Sequence, residues 1–106
     1  KSLDGFTPMG PCIVTADEIE DVQNLNIKCT VNDEVRQESN TKLMMQTVAG
    51  AISELSQGIT LQAGTIIATG TPAGVGMGMN PPCFLKRGDN IICEVEKIGK
   101  LINFVE

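Results

Sequence analysis

The sequence predicts an α+β domain, mostly β, and three observations carry that expectation. Residues 25–31 alternate, with Leu25, Ile27, Cys29 and Val31 pointing one way and Asn26, Lys28 and Thr30 the other, which is the period of a half-buried strand. A single stretch, bearing Met44, Val48, Ala51, Ile52 and Leu55, recurs at helical spacing instead. Turn-formers divide the remainder into short, strand-sized segments.

Each element follows in chain order. Gly5, Pro8, Gly10 and Pro11 exclude a long helix from the opening, leaving Cys12–Val14 as a short strand. Thr15, followed by Asp17 and Glu18, caps a single helical turn. After strand 25–31, Asn32-Asp33 forms a two-residue turn that tolerates positive φ, and Glu34 to Gln37 returns as the second arm of a hairpin. Ser39-Asn40-Thr41 opens the helical element and Gly58 stops it. Gly50 inside that element costs about 1 kcal/mol relative to Ala, which implies close packing there. Leu61 to Gly64 turns into a strand over Thr65–Ala68. Residues 69–82 hold four glycines and three prolines and cannot form a regular element. Residues 84–89 turn into a strand over Asn90–Val95, and Lys97 to Lys100 closes a second hairpin whose returning arm is Leu101–Val105.

Composition removes several function classes. The 106 residues bound the chain to one small domain, and with aromatics at 3% its core must be built from Ile, Val, Leu and Met. The charge of −5 is spread along the chain and no basic cluster interrupts it, so no nucleic-acid partner is expected. No signal peptide or apolar run of membrane length is present, and no membrane partner is expected. With no histidine, a Ser-His-Asp or Cys-His site within this chain is excluded. The four cysteines form no C-x-x-C pair, against zinc and thioredoxin-like readings. Cys12, Cys29 and Cys93 lie in apolar, strand-like runs as small hydrophobes. Reduced thiols in a cytoplasmic protein are expected. The chain opens at Lys1, without Met and directly on a motif-like segment, so a longer protein is expected upstream.

The loop at 69–78 carries the richest chemistry. Gly70, Gly74, Gly76 and Gly78 let backbone N–H groups approach an anion, and Thr71 adds a hydroxyl. No G-K-[ST] follows, so it is not a P-loop; a strand rather than a helix comes after it, so it is not a dinucleotide fingerprint. On composition alone it also fits a purely structural turn. Two acidic pairs, Glu18/Glu20 and Glu94/Glu96, have the spacing of metal ligands but also that of solvated faces.

The order of segments resembles the fumarylacetoacetate hydrolase family. The strings are Lys1-Ser2-Leu3-Asp4, Gly10-Pro11, Val31 to Gln37, Asn40-Thr41 with Met44, Leu61 to Ile67, Thr69-Gly70-Thr71-Pro72-Ala73-Gly74-Val75-Gly76, Leu85 to Asp89, and Glu94 to Gly99. Together they cover residues 1–106 in order; one departure is Asp33, where the family more often has Gly. The resemblance implies the C-terminal portion of a catalytic domain built as a mixed β-sandwich or β-roll with one main helix, usually in a homodimer. It implies action on small 2-oxo or β-diketo acids through a stabilised enolate, as acylpyruvate-type C–C hydrolysis, 2-hydroxyhepta-2,4-diene-1,7-dioate isomerisation or decarboxylation. The implied cofactor is Mg²⁺ or Mn²⁺, with ligands upstream of Lys1 and none in this chain. By the same resemblance Lys1 is the active-site lysine, and it binds substrate together with Gly70 and Thr71. Asp4, Arg36, Gln37 and Asn40 are expected to be structural.

Overall fold

The computed structural model describes residues 3–106. Among them, four strands form one antiparallel sheet: β1 (Asn26–Val31), β2 (Glu34–Asn40), β3 (Asn90–Val95) and β4 (Gly99–Phe104), in the spatial order β2-β1-β3-β4. A helix, α1 (Val48–Leu55), lies between the two hairpins in sequence. The fold is α+β and mostly β, as expected.

Turn chemistry builds both hairpins. Asn32 and Asp33 adopt φ of 49° and 67°, the paired left-handed conformation whose twist matches that of the flanking strands. Lys97 at φ 64° and Gly99 at φ 123° make the longer, three-residue reversal between β3 and β4. The hairpins join through β1 and β3, with Cys29 directly opposite Cys93 and Val31 opposite Ile91. The opening segment docks on the β3–β4 reversal, where the Cys12 thiol donates to the Ile98 carbonyl at 3.6 Å.

Four expectations differ in detail. The helix starts at Val48, not near Thr41. Asn40 instead accepts the Lys42 N–H and caps a single 3₁₀ turn over Thr41–Leu43. The Thr41 hydroxyl accepts the Leu25 N–H at 2.8 Å and donates to the Val22 carbonyl at 2.9 Å, tying this turn to the start of β1. Thr47 then caps α1 by accepting the Gly50 N–H, so Met44 lies outside the helix. β2 runs on to Asn40 rather than ending at Gln37. Residues 12–14 and 65–68 belong to no strand. The close packing inferred at Gly50 is real, for a Cβ there would lie 2.9 Å from the Gln46 amide nitrogen.

The loop at 69–82 is pressed onto β2. β2 carries a bulge between the pairings Cys29↔Gln37 and Thr30↔Val35, which leaves Arg36 as an extra residue. Gly74, at φ 107°, crosses this bulge so closely that a Cβ would overlap the Arg36 carbonyl oxygen. Gly76 meets the Cys83 carbonyl in the same way, while its own carbonyl accepts the Cys83 N–H at 2.9 Å. The Arg36 guanidinium reaches the Met79 sulfur and the Glu34 carboxylate, each at 3.2 Å, and pins the far end of the loop.

Little of the apolar surface is covered. Ile19, Leu25 and Val31 are the buried apolar residues among those described. The accessible surface is 8364 Å², against about 5,700 Å² for a compact monomer of this mass. The radius of gyration is 15.1 Å, against about 13 Å for a compact domain of this length. Ile13 is 96% exposed and Ile66 69%. No helix among the described residues is long and apolar enough to cross a membrane.

The glycines make a graded test. Gly74→Ala in the full-length protein combines a left-handed φ with a backbone overlap and is expected to cost more than about 2 kcal/mol in urea unfolding. Gly58→Ala, in open space, should stay within about 0.5 kcal/mol of wild type.

Candidate active site

Thr71 is set in place by a residue of the neighbouring strand. Gln37 follows the bulge on β2, opposite Cys29, and so points to the same face of the sheet as Ile27, Cys29 and Val31. Its side-chain nitrogen donates to the Thr71 hydroxyl oxygen at 2.7 Å and to the Pro72 carbonyl at 2.7 Å. A carbonyl only accepts, so the contact with Pro72 defines which end of the amide is nitrogen. Both amide hydrogens are thereby used, and the Thr71 hydroxyl keeps its own hydrogen to donate elsewhere.

Gly70 precedes it at φ 94°, a conformation that favours glycine, with no atom within 4 Å of where a Cβ would stand. Gly70 and Thr71 form one rim of an open cleft of about 750 Å³. Its floor is the β1–β3 surface at Ile27, Cys29 and Cys93, and its opposite wall is the 43–46 segment with Met44. Gln37 also borders a second cleft, of about 640 Å³, beyond the loop.

The remaining polar candidates have structural work. Asn40 donates to the Asn26 side chain at 2.9 Å besides capping its turn. Glu94 pairs with Lys100 at 3.2 Å, and Glu96 accepts the Asn26 N–H at 2.9 Å. Glu18 accepts from the Thr15 hydroxyl at 3.4 Å. Asp89 accepts from the Asn32 side chain and the Lys86 N–H, and these bonds hold its carboxyl below the usual range. Among the described residues, no group of three His, Cys, Asp or Glu side chains is placed to hold a metal ion. Lys1 lies outside the described residues.

The whole chain, residues 1–106, matches the family model described as Fumarylacetoacetate (FAA) hydrolase C-terminal. The chain belongs to the fumarylacetoacetate hydrolase family. Its architecture superposes on the fumarylacetoacetate hydrolase of psychrophilic Exiguobacterium antarcticum with a TM-score of 0.96 and 52% identity, over 100% of this chain and 38% of that one. The maleylpyruvate hydrolase of Sphingobium sp. SYK-6, solved with manganese(II) and pyruvate, matches with a TM-score of 0.81 and 41% identity, over 91% of this chain and 34% of that one. The mitochondrial oxaloacetate tautomerase Fahd2a of Rattus norvegicus is 50% identical over 99% of this chain and 34% of its own length. The chain thus spans about a third of the length of that curated relative. Related proteins of the family are named hydrolases, isomerases and tautomerases.

Within this family domain, the contact of Gln37 with the candidate residue Thr71 is what sequence reasoning missed. The available signal was a polar residue on the phase of β2 that faces an apolar strand. The bulge at Arg36 hides that phase, because simple alternation through residues 34–37 places Gln37 and Val35 on one side.

Gln37→Leu removes both hydrogen bonds to the loop. In the full-length protein it should lower the unfolding free energy by about 1–3 kcal/mol. Hydrogen exchange should rise at the amides of Gly70, Thr71, Ala73 and Gly74 and stay unchanged in β3.

Proposed function

We propose that the full-length protein carrying this chain acts on small 2-oxo or β-diketo acids by stabilising an enolate, with this chain supplying the carboxylate-binding rim. The observation that carries the reading is the Gln37–Thr71 arrangement. Because the amide donates to Thr71 Oγ1 at 2.7 Å, the hydroxyl hydrogen is left to donate to an anion above the loop. The exposed Gly70 backbone lets a ligand approach its edge without steric obstruction. In this reading Thr71 and the Gly70 backbone orient the substrate carboxylate. Lys1 places its ammonium against the oxygen that gains negative charge as the enolate forms. A hydroxyl and a glycine edge held before substrate arrives cost little reorganisation during reaction.

Among the described residues the site offers no donor set for a divalent ion, since Glu94 and Glu96 are already engaged by Lys100 and Asn26. No step is derived through such an ion. We assign Mg²⁺ or Mn²⁺ to residues outside this chain, where it would polarise the 2-oxo group as a Lewis acid. The manganese(II) and pyruvate of the Sphingobium relative support a divalent ion as the cofactor. Hydrolysis, isomerisation, tautomerisation and decarboxylation all pass through an enolate, so the reacting bond is set by parts of the protein beyond this rim.

The uncovered surface favours a further element of the reading, a homodimer of the full-length protein. An accessible area nearly half again that of a compact monomer, with Ile13, Ile66 and Phe84 among its exposed apolar side chains, leaves surface that the rest of the polypeptide and a second copy would cover. The isolated 106-residue piece is accordingly expected to be inactive. The alternative, a non-catalytic binding or assembly module, draws on the same exposed surface and is separated by turnover.

With full-length protein, Mg²⁺ and an acylpyruvate, wild type should turn over. Thr71→Ala should lower kcat/KM by about 10- to 100-fold, and Lys1→Ala by about 100-fold or more. Wild-type turnover by both variants would falsify the site, and no turnover by wild type on any 2-oxo acid would favour the assembly module.

A further inference from the structure

Two thiols face each other on the floor of the cleft. Cys29 on β1 and Cys93 on β3 are direct cross-strand partners, and their sulfurs are 3.8 Å apart. The ladder determines which kind of partners they are. At one end Asn32 N–H donates to the Asn90 carbonyl, and at the other Glu96 N–H donates to the Asn26 carbonyl, both at 2.9 Å. Counting inward by twos from either end makes 30/92 and 28/94 hydrogen-bonded pairs, and leaves 29/93 a non-hydrogen-bonded pair. In such pairs the Cα atoms approach to about 4.5 Å, inside the range of about 4.4–6.8 Å that a disulfide spans. The sulfurs need only close to about 2.05 Å to bond.

We propose that Cys29 and Cys93 form a reversible cross-strand disulfide, a redox-sensitive modification site beneath Gly70 and Thr71. Cys93 is exposed and Cys29 half-buried, so an oxidant reaches Cys93 first. With a peroxide, the Cys93 sulfur attacks one oxygen, the O–O bond breaks, and a sulfenic acid and one water result. The Cys29 sulfur then displaces the second oxygen as water, and the S–S bond forms. Two thiols and one peroxide thus become one disulfide and two waters, and a dithiol reductant restores both thiols. Burial, with the neighbouring Cys93, pushes the Cys29 thiol up to about 11, so few Cys29 sulfurs are thiolate near neutral pH and closure quickens as pH rises. Cys29 lies opposite Gln37 on β2, so the bond would form beside the residue that holds Thr71. Only that consequence rests on the proposed function; the disulfide does not.

The test uses full-length protein, reduced and then treated with hydrogen peroxide, alkylated and mapped by mass spectrometry without reduction. The expected result is a linked peptide joining Cys29 and Cys93, lighter by two hydrogens and reversed by dithiothreitol. It should form at least about tenfold faster than any linkage of the exposed Cys12 or Cys83. Cys93→Ser should abolish it. Free, alkylated Cys29 and Cys93 after oxidation of Cys12 and Cys83, or linkage of either to another cysteine, would overturn the proposal. Linkage is read by mass, so an inactive wild-type enzyme would count against the proposed function alone.

Discussion

The closeness of the glycine-rich loop to β2 is the constraint on which the site depends. A strand that inserts one extra residue at Arg36 bends toward its neighbour and turns its carbonyl outward. Only a residue without a side chain can pass that carbonyl, and Gly74 does so with left-handed backbone torsions. Once the loop is seated, Gln37, the next residue on the strand, is within hydrogen-bond distance of Thr71 and Pro72. The bulge, the glycine and the glutamine therefore act together, and each would be unremarkable alone.

Orientation is what this arrangement would contribute to the proposed chemistry. A threonine hydroxyl in an exposed loop ordinarily rotates freely and bonds to its own backbone or to water. A side-chain amide that spends both hydrogens on the loop occupies an acceptor position of the hydroxyl and leaves its hydrogen to donate. Because the amide is neutral, it leaves the net charge of the rim unchanged, and in the proposed reading an anionic ligand would meet donors without a fixed negative neighbour at position 37. The cost of holding the loop is met by packing on the sheet rather than by substrate binding. The same sheet carries the cysteine pair, so the floor of the cleft and the strand that holds its rim belong to one sheet.

Hairpins and turns were legible in the sequence because they are governed locally. The alternation from Leu25 to Val31, the Asn32-Asp33 turn and the glycine after Ile98 each specify a conformation within a few residues. The start of α1 was not legible. Met44 lies in phase with Val48, but Thr41 is committed to Leu25 and Val22, partners 16 and 19 residues away. Residues 65–68 read as a strand because they are apolar and β-branched, yet a strand needs a neighbour, and none is supplied among the described residues. The bulge at Arg36 was invisible for the opposite reason: it is defined by what lies across from it. Gly70 and Thr71 stood out through the family motif, whereas Gln37 lay in the family string Val31 to Gln37 and read only as structural; that it holds Thr71 emerged from geometry.

The most direct measurement is a crystal structure of the full-length protein with Mg²⁺ and oxalate, an enolate mimic. The expected result has the Thr71 hydroxyl about 2.7–3.0 Å from a ligand oxygen, with the Gln37 amide still donating to Thr71. Oxalate seated away from residues 70–71, with the Thr71 hydroxyl turned back onto its own loop, would contradict it.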